Sequence, residues 1–217
     1  MLLEPFTLKT AEKILLISLD LFNSQGERNI TSIDIANELD ISPGNLYYHY
    51  KGKEEIVNAL VDKYVSKMNA IRQATGSNES FYQYLFYCLE TMHIFRFLFQ
   101  NIAEISTQYP AINSKLQRLA KSQRQYLRKS LTEQQQDGTL QGTTDDIDLL
   151  LDIISLTLFQ SLNFYQMQGD SLGDPEIVYR TLMTIYFSLQ PYYPEGGEAA
   201  DIKLAILNKT LMTKSAS

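Results

Sequence analysis

Between Thr31 and Lys53 the chain reads TSIDIANELDISPGNLYYHYKGK, and this pattern leaves few folds open. Ile33, Ile35, Ala36 and Leu39 include the three- and four-residue steps that bury one face of a helix. Thr31 or Ser32 can cap that helix by accepting a backbone N–H. Asp40-Ile41 makes a turn, because Asp tolerates a left-handed or locally hydrogen-bonded backbone better than most residues. Ser42-Pro43 restarts a helix: Ser is a preferred cap, and Pro suits a first position whose N–H has no intrahelical partner. The expectation is two short helices joined tightly, with a third starting at once.

The second of these helices, Pro43 to about Tyr50, is poorly composed for folding alone. Leu46 and Tyr50 can face a core, leaving Gly44, Asn45, Tyr47, Tyr48 and His49 largely outward. Gly beside Asn is weak helix material. The set instead offers close backbone approach at Gly44, a bidentate amide at Asn45, and hydroxyl and imidazole groups suited to phosphates. Helix-turn-helix readers enter the major groove of double-stranded DNA with the N-terminal part of their second helix, while flanking groups grip the backbone. A helix-turn-helix also occurs as a plain core-building unit; the run from Ser42 to Lys53 is what separates the two readings.

That run resembles the DNA-binding domain of the TetR family of tetracycline-repressor-like regulators. The resemblance rests on Ile14-Leu15, Leu21-Phe22, Gly26, Thr31, Ile35-Ala36, Leu39, Ile41-Ser42, Leu46-Tyr47, His49-Tyr50, Lys53-Glu54 and Ile56, with spacing kept over about fifty residues. Two positions depart from it: Asp40 stands where the family usually has Gly, and Ser18 where a small Ala is usual. The resemblance implies an all-α chain, with a helix-turn-helix domain at 1–54 and a helical ligand-binding and dimerisation domain at 55–217. Within the second domain, 55–75 is a connecting helix and 191–217 a tail. It also implies a homodimeric regulator, most simply a repressor on a near-palindromic operator, with recognition helices about 34–36 Å apart or somewhat more. Gly44, Asn45 and Tyr47 then meet bases or sugars beside Ser42 and Pro43, while Thr31, Tyr48, His49 and Lys53 fix phosphates; which of Tyr47 and Tyr48 reads a base stays open.

Charge runs against this reading. The chain carries a net charge of −6 with a pI near 5.0, and residues 1–54 hold five basic against eight acidic side chains. That excludes a general nucleic-acid coat and predicts weak non-specific binding at moderate salt. It also motivates an alternative: a helical small-molecule-binding protein that has lost specific DNA binding. Cys88 is the one cysteine, so no intrachain disulfide forms, and a small buried hydrophobe competes with a thiolate role. The apolar run Ile14 to Phe22 lacks a basic leader and a cleavage site, and Ile153 to Gly169 is a poor membrane span, so a cytoplasmic protein with no membrane partner is expected.

Residues 1–7 read as a flexible lead, and Leu8 to about Ser24 as a first helix stopped by Gly26. Lys53 to about Ala74 is one long helix, where Ile56, Leu60, Tyr64, Met68 and Ile71 step by three and four. Thr75 to Asn78 breaks it and marks a boundary. Phe81 to about Gln100 is apolar nearly all round and predicts one central helix, followed by a short segment to Tyr109. Ala111 to Asp137 carries Lys115, Arg118, Lys121, Arg124 and Arg128. These read as a solvated face opposite Ile112, Leu116, Leu119, Tyr126 and Leu127, with a basic DNA-binding helix as the competing view. The apolar helices at about 145–168 and 175–189 suit either a homodimer interface, as the resemblance implies, or an internal core. Ala199 to Met212 can form one more amphipathic helix.

Chemistry is sparsely encoded. His49 and His93 are the two histidines, without metal-ligand spacing, and no phosphate loop, dinucleotide pattern or nucleophile elbow occurs. No cofactor and no enzyme activity is expected; a small helical enzyme using His93 and Glu104 is the remote alternative. A bundle rich in aromatics suits a small apolar or amphipathic effector. Its candidate lining is Tyr87, His93, Phe95, Phe99, Tyr126, Phe159, Phe164 and Tyr165, with Arg96 and Glu104 for a head group; plain core packing competes for each.

Overall fold

The computed structural model describes residues 9–74 and 81–194, and within them the secondary structure is helical with no strand. The proposed boundary at Thr75 to Asn78, the lead before Lys9 and the helix from Ala199 lie outside the described residues.

Helix α1 (Thr10–Gln25) ends at Gly26, whose φ of 83° is what a residue without Cβ supplies there. A single 3-10 turn, Glu27–Asn29, leads to α2 (Ser32–Glu38). Thr31 starts α2 through a complete capping box: Asp34 N–H donates to its hydroxyl oxygen at 3.2 Å and its own N–H donates to Asp34 Oδ2 at 2.8 Å. The chain turns at Asp40, the one non-glycine with positive φ (52°) among the described residues. This explains why Gly is the usual occupant there and why Asp substitutes for it. Ser42 then caps α3 (Pro43–His49) by accepting from Asn45 N–H at 3.2 Å. Helix α4 (Lys53–Ala74) follows.

Helix α2 buries a different set of side chains from the one its spacing suggests. Its buried residues are Ser32, Ile35 and Ala36, while Ile33 is 55% exposed. Seven residues make only two turns, so Ile33 and Ile35 fall on opposite sides. The head core is Ile14, Phe22, Ile35, Leu46, Ile56 and Val57, all fully buried. Leu46 contributes about 1.5–3 kcal/mol through its burial and fixes the rotation of α3. Tyr50 is half-buried and donates its hydroxyl to the Ala11 carbonyl at 3.4 Å, tying the end of α3 to α1.

Helix α4 packs on α1 and also on α5 (Phe81–Ile94) and α8 (Pro110–Gln136), so it belongs to both halves of the molecule. Between α5 and α8 lie α6 (Phe97–Gln100) and α7 (Ile102–Gln108). The expected continuous helix over Phe81 to Gln100 is therefore broken at Phe95-Arg96. The cause is tertiary. Asn23, from α1, donates its amide to the Ile94 carbonyl at 2.8 Å and accepts the Phe97 N–H at 3.0 Å. An unbroken helix would use both groups itself. The released His93 carbonyl is taken by the Arg96 guanidinium at 3.3 Å.

Helices α9 (Thr144–Met167) and α10 (Glu176–Leu189) pack on each other, α10 also on α5, and α9 also on α8 and α6. On the basic face of α8, Arg118 and Lys121 are exposed, as a solvated face requires, while the other three cations are paired at the surface. Lys115 pairs with Asp62 of α4, Arg124 with Asp152 of α9 at 2.8 Å, and Arg128 with Asp148 of α9.

Candidate DNA-reading face and effector cavity

In α3 one side chain, Leu46, is buried, and the rest of the helix is presented outward. Gly44 and Asn45 are exposed, as are Ser42 and Pro43 just before them. Tyr47 is 45% and Tyr48 78% exposed, and His49 is half-buried with its ring edge-on to Tyr48 at 5.1 Å. The C-terminal carbonyl of Tyr47 accepts from Lys51 Nζ at 3.4 Å, a favourable sign for the helix end. Thr31 sits at the start of α2, exposed, with its side chain engaged in the capping box. The Thr31 hydroxyl, and after it the Thr31 N–H, hold the Asp34 carboxyl below its ordinary value.

Lys53 is placed differently from the other candidates. Its ammonium is 2.9 Å from Glu27 Oε1 and donates to the Glu27 carbonyl at 3.1 Å. Glu27 is buried, and the same Oε1 accepts the Tyr109 hydroxyl at 2.8 Å. Burial first, then the Glu27 carboxylate, pushes the Tyr109 phenol well above its ordinary range. Arg28 adds an outer pair with Glu104 at 2.9 Å. Lys53 is thus paired with a buried carboxylate that itself ties the head to Tyr109, between α7 and α8, rather than standing free at the surface. The sequence did not show this because Glu27 lies 26 positions from Lys53, and Tyr109, which shares the Glu27 carboxylate, lies 56 positions away.

The effector candidates do not form one site. Among the described residues a cavity of about 210 Å3 lies between α4, α6, α7, α8 and α9. Of the ten candidates it takes Phe99 and Phe159. Its other ring is Tyr64 of α4, and α8 adds Leu116, Leu119, Asn113, Gln117 and Gln123. The three amides at 113, 117 and 123, set beside the apolar stripe of α8, were the available signal. Phe95 packs behind the cavity, with its ring 5.6 Å from Tyr64. The Tyr126 ring lies tilted against Tyr84 at 4.3 Å, and Tyr87 sits against Phe86 at 5.7 Å. His93 and Arg96 lie at the α5–α6 break; desolvation, then the Arg96 charge, lowers the His93 pKa. Glu104 turns to Arg28 instead of the cavity. Phe164 and Tyr165 lie on the outer side of α9 and α10, where Arg180 covers the Tyr165 ring at 4.3 Å. Cys88 is fully buried, and burial pushes its thiol up to about 12, which removes a thiolate role. No cluster of metal-binding side chains occurs among the described residues.

The outer faces of α9 and α10 are apolar. Leu149, Ile153, Leu156, Phe164 and Met167 recur at helical spacing along α9, and Phe187 stands on α10, all exposed. Leu156 and Phe164 line an open hollow of about 380 Å3 together with Tyr165, Thr181 and Thr184. With both faces apolar, Thr144–Met167 is the one described helix long and apolar enough to cross a membrane. Its inner face (Ile147, Leu151, Ile154, Leu158) is nonetheless packed on protein.

Comparison with known proteins agrees with this architecture. Residues 14–60 match the family model described as bacterial regulatory proteins of the tetR family, and residues 61–200 match the TetR model described as bacterial transcriptional repressor. The chain is 33% identical over 121 residues to the HTH-type transcriptional regulator QacR of Staphylococcus aureus strain Mu50. That match spans 54% of this chain and 64% of the relative, just under two thirds of its length. A TetR-family transcriptional regulator from Marinobacter aquaeolei VT8 shares the fold with a TM-score of 0.80 and 22% identity, over 92% of this chain and 99% of that one. The ketosteroid transcriptional regulator KstR2 of Mycobacterium tuberculosis gives a TM-score of 0.69 and 20% identity, over 87% of this chain and 97% of that one. The two family models together run from residue 14 to 200, through the head, the long shared helix and the C-terminal bundle, and the chain belongs to the TetR family of bacterial transcriptional regulators.

Proposed function

We propose that this protein is a homodimeric repressor that binds a near-palindromic operator through α3 and is released by a small molecule held in the α4–α9 cavity. The observation that carries the reading is α3 itself: Leu46 anchors it, while Gly44, Asn45, Tyr47 and Tyr48 are exposed. Asn45 and Tyr47 read base edges near Gly44, and Thr31, Ser42, Tyr48 and His49 hold sugar and phosphate. Head and bundle are the two domains, with α4 shared between them. The dimer forms through the outer faces of α9 and α10, where a second copy covers the exposed stripe and its hollow; an apolar face of this kind is what an obligate interface buries.

Release works through the two ties between bundle and head. A ligand entering between α8 and α4 displaces α6 and α7. These carry the Asn23 clamp and the Tyr109–Glu27–Lys53 contact. Coupling of about 1–3 kcal/mol changes operator affinity some five- to 150-fold.

The acidic head and the internal engagement of Lys53 favour one competing reading, a ligand-binding protein without specific DNA binding. The deciding experiment is binding of the purified protein to fragmented DNA from its own source, including its own upstream region. Saturable, salt-sensitive protection of a near-palindrome, lost in Asn45→Ala/His49→Ala, supports the repressor. The absence of any specific fragment at low salt supports the alternative.

A further inference from the structure

We infer that the cavity selects an uncharged ligand: a small molecule with an apolar body and one neutral hydrogen-bonding group. This rests on reading the cavity as the effector site, and it adds the chemistry of the effector.

The walls are the rings of Tyr64, Phe99 and Phe159 with Leu116 and Leu119, and no lining residue carries a charge. Every polar side chain besides the Tyr64 phenol is a neutral amide of α8. The three amides are graded in depth: Gln117 is exposed, Asn113 half-buried and Gln123 buried. Gln117 therefore marks a mouth and Gln123 a floor, with ten residues of helix, about 15 Å, from Asn113 to Gln123. At the floor Gln123 Nε2 faces the Cys88 sulfur at 3.9 Å, with the Tyr84 hydroxyl close by; the sulfur is a weak acceptor that a ligand oxygen replaces with gain. The side-chain amides of Asn113 and Gln117 make no hydrogen bond among the described residues and stand available at the other end.

Of the charged residues next to the α8 lining in sequence, Arg118 and Lys121 are exposed to solvent and the others are paired. Lys115 is paired with Asp62 and Arg124 with Asp152. Glu104, which could have met a cation, is paired with Arg28. A charged group carried into the cavity therefore loses its hydration and finds no counter-charge, which is costly in an apolar site. A volume of about 210 Å3 also limits size, being below the roughly 300–1,000 Å3 of drug-sized pockets. A carboxylate held at the mouth beside the exposed Arg118 and Lys121 is the competing arrangement.

Three probes of one skeleton separate these cases: naphthalenemethanol, naphthoate and naphthylmethylammonium, each titrated calorimetrically into the full-length protein. Naphthalenemethanol is expected to bind saturably, and both charged analogues at least about 100-fold more weakly. Ala120→Phe, which fills the cavity wall, is expected to abolish that binding with the helical circular dichroism unchanged. Asn113→Asp is expected to bring naphthylmethylammonium up to measurable affinity, because it supplies the missing counter-charge. Binding of either charged analogue to the unmodified protein within about tenfold of the alcohol overturns the inference. So does no binding of the alcohol, or binding that survives Ala120→Phe. Operator protection without any probe is measured separately, so loss of the repressor reading and loss of this one are distinguishable.

Discussion

Lys53→Met tests the join between head and bundle. The Glu27 side chain is 5% exposed and that of Lys53 21%, so the substitution leaves a buried carboxylate whose remaining partner is the Tyr109 hydroxyl at 2.8 Å. Removing one partner of a buried pair costs about 3–5 kcal/mol. Water reaches the Lys53 side, and the Tyr109 hydrogen bond survives, so the cost falls to about 2–3 kcal/mol. For a chain of this size 1 kcal/mol shifts Tm by roughly 2–4 °C, which gives a fall of about 4–12 °C by circular dichroism. The double variant Glu27→Gln/Lys53→Met removes the stranded charge and is expected to recover at least half of the loss. Because the ammonium is held internally, the salt slope of operator binding stays that of the parent, whereas loss of a true phosphate contact lowers it by about 0.9. A Tm fall below about 1 °C, or no recovery in the double variant, refutes the reasoning.

Other expectations follow from the same geometry. At Asp40, where φ is 52°, substitution by Val is expected to cost about 1–2 kcal/mol in urea unfolding, while Gly is tolerated without loss. Asp34 and Asp146 cap α2 and α9 and have lowered pKa values, from their hydrogen bonds to Thr31 and Thr143. Their contribution is full above the unfolded value of 3.8 and is lost as pH falls through the lower folded value, so Asp34→Asn flattens acid unfolding only in that window. Leu156→Glu with Phe164→Glu is expected to convert a dimer to a monomer in sedimentation, the helical content being kept. Cys88 in the folded protein is expected to react with iodoacetamide at least about 100-fold more slowly than in urea, because its thiol is buried and neutral at ordinary pH.

The head was legible in the sequence because its signals are local. Thr31, Ser42 and Pro43 set helix starts within three residues of the groups they cap, and Leu46 is the one apolar side chain between two polar turns. The same locality gave the left-handed turn at Asp40. Each of these depends on dihedral preferences and short-range hydrogen bonds, which a sequence states directly.

The bundle was legible as helices but not as a site. Hydrophobic periodicity separates inside from outside, yet an apolar side chain reads the same whether it faces a neighbour, a cavity or a second copy. Hence Phe99 and Phe159 line the cavity while Tyr126 and Phe95 are core and Phe164 is surface. The break at Phe95-Arg96 depends on Asn23, 71 positions from the carbonyl it binds. The place of Lys53 depends on Glu27 and Tyr109, which three different segments bring together. By itself the sequence determined helix type, helix starts and the outward set of α3, because those follow from contacts within a few residues. Only the tertiary structure decided where the long helix breaks, which charge is locked inside and which side chains enclose an empty volume. Each of those depends on groups far apart in the chain meeting at a distance of a few ångströms.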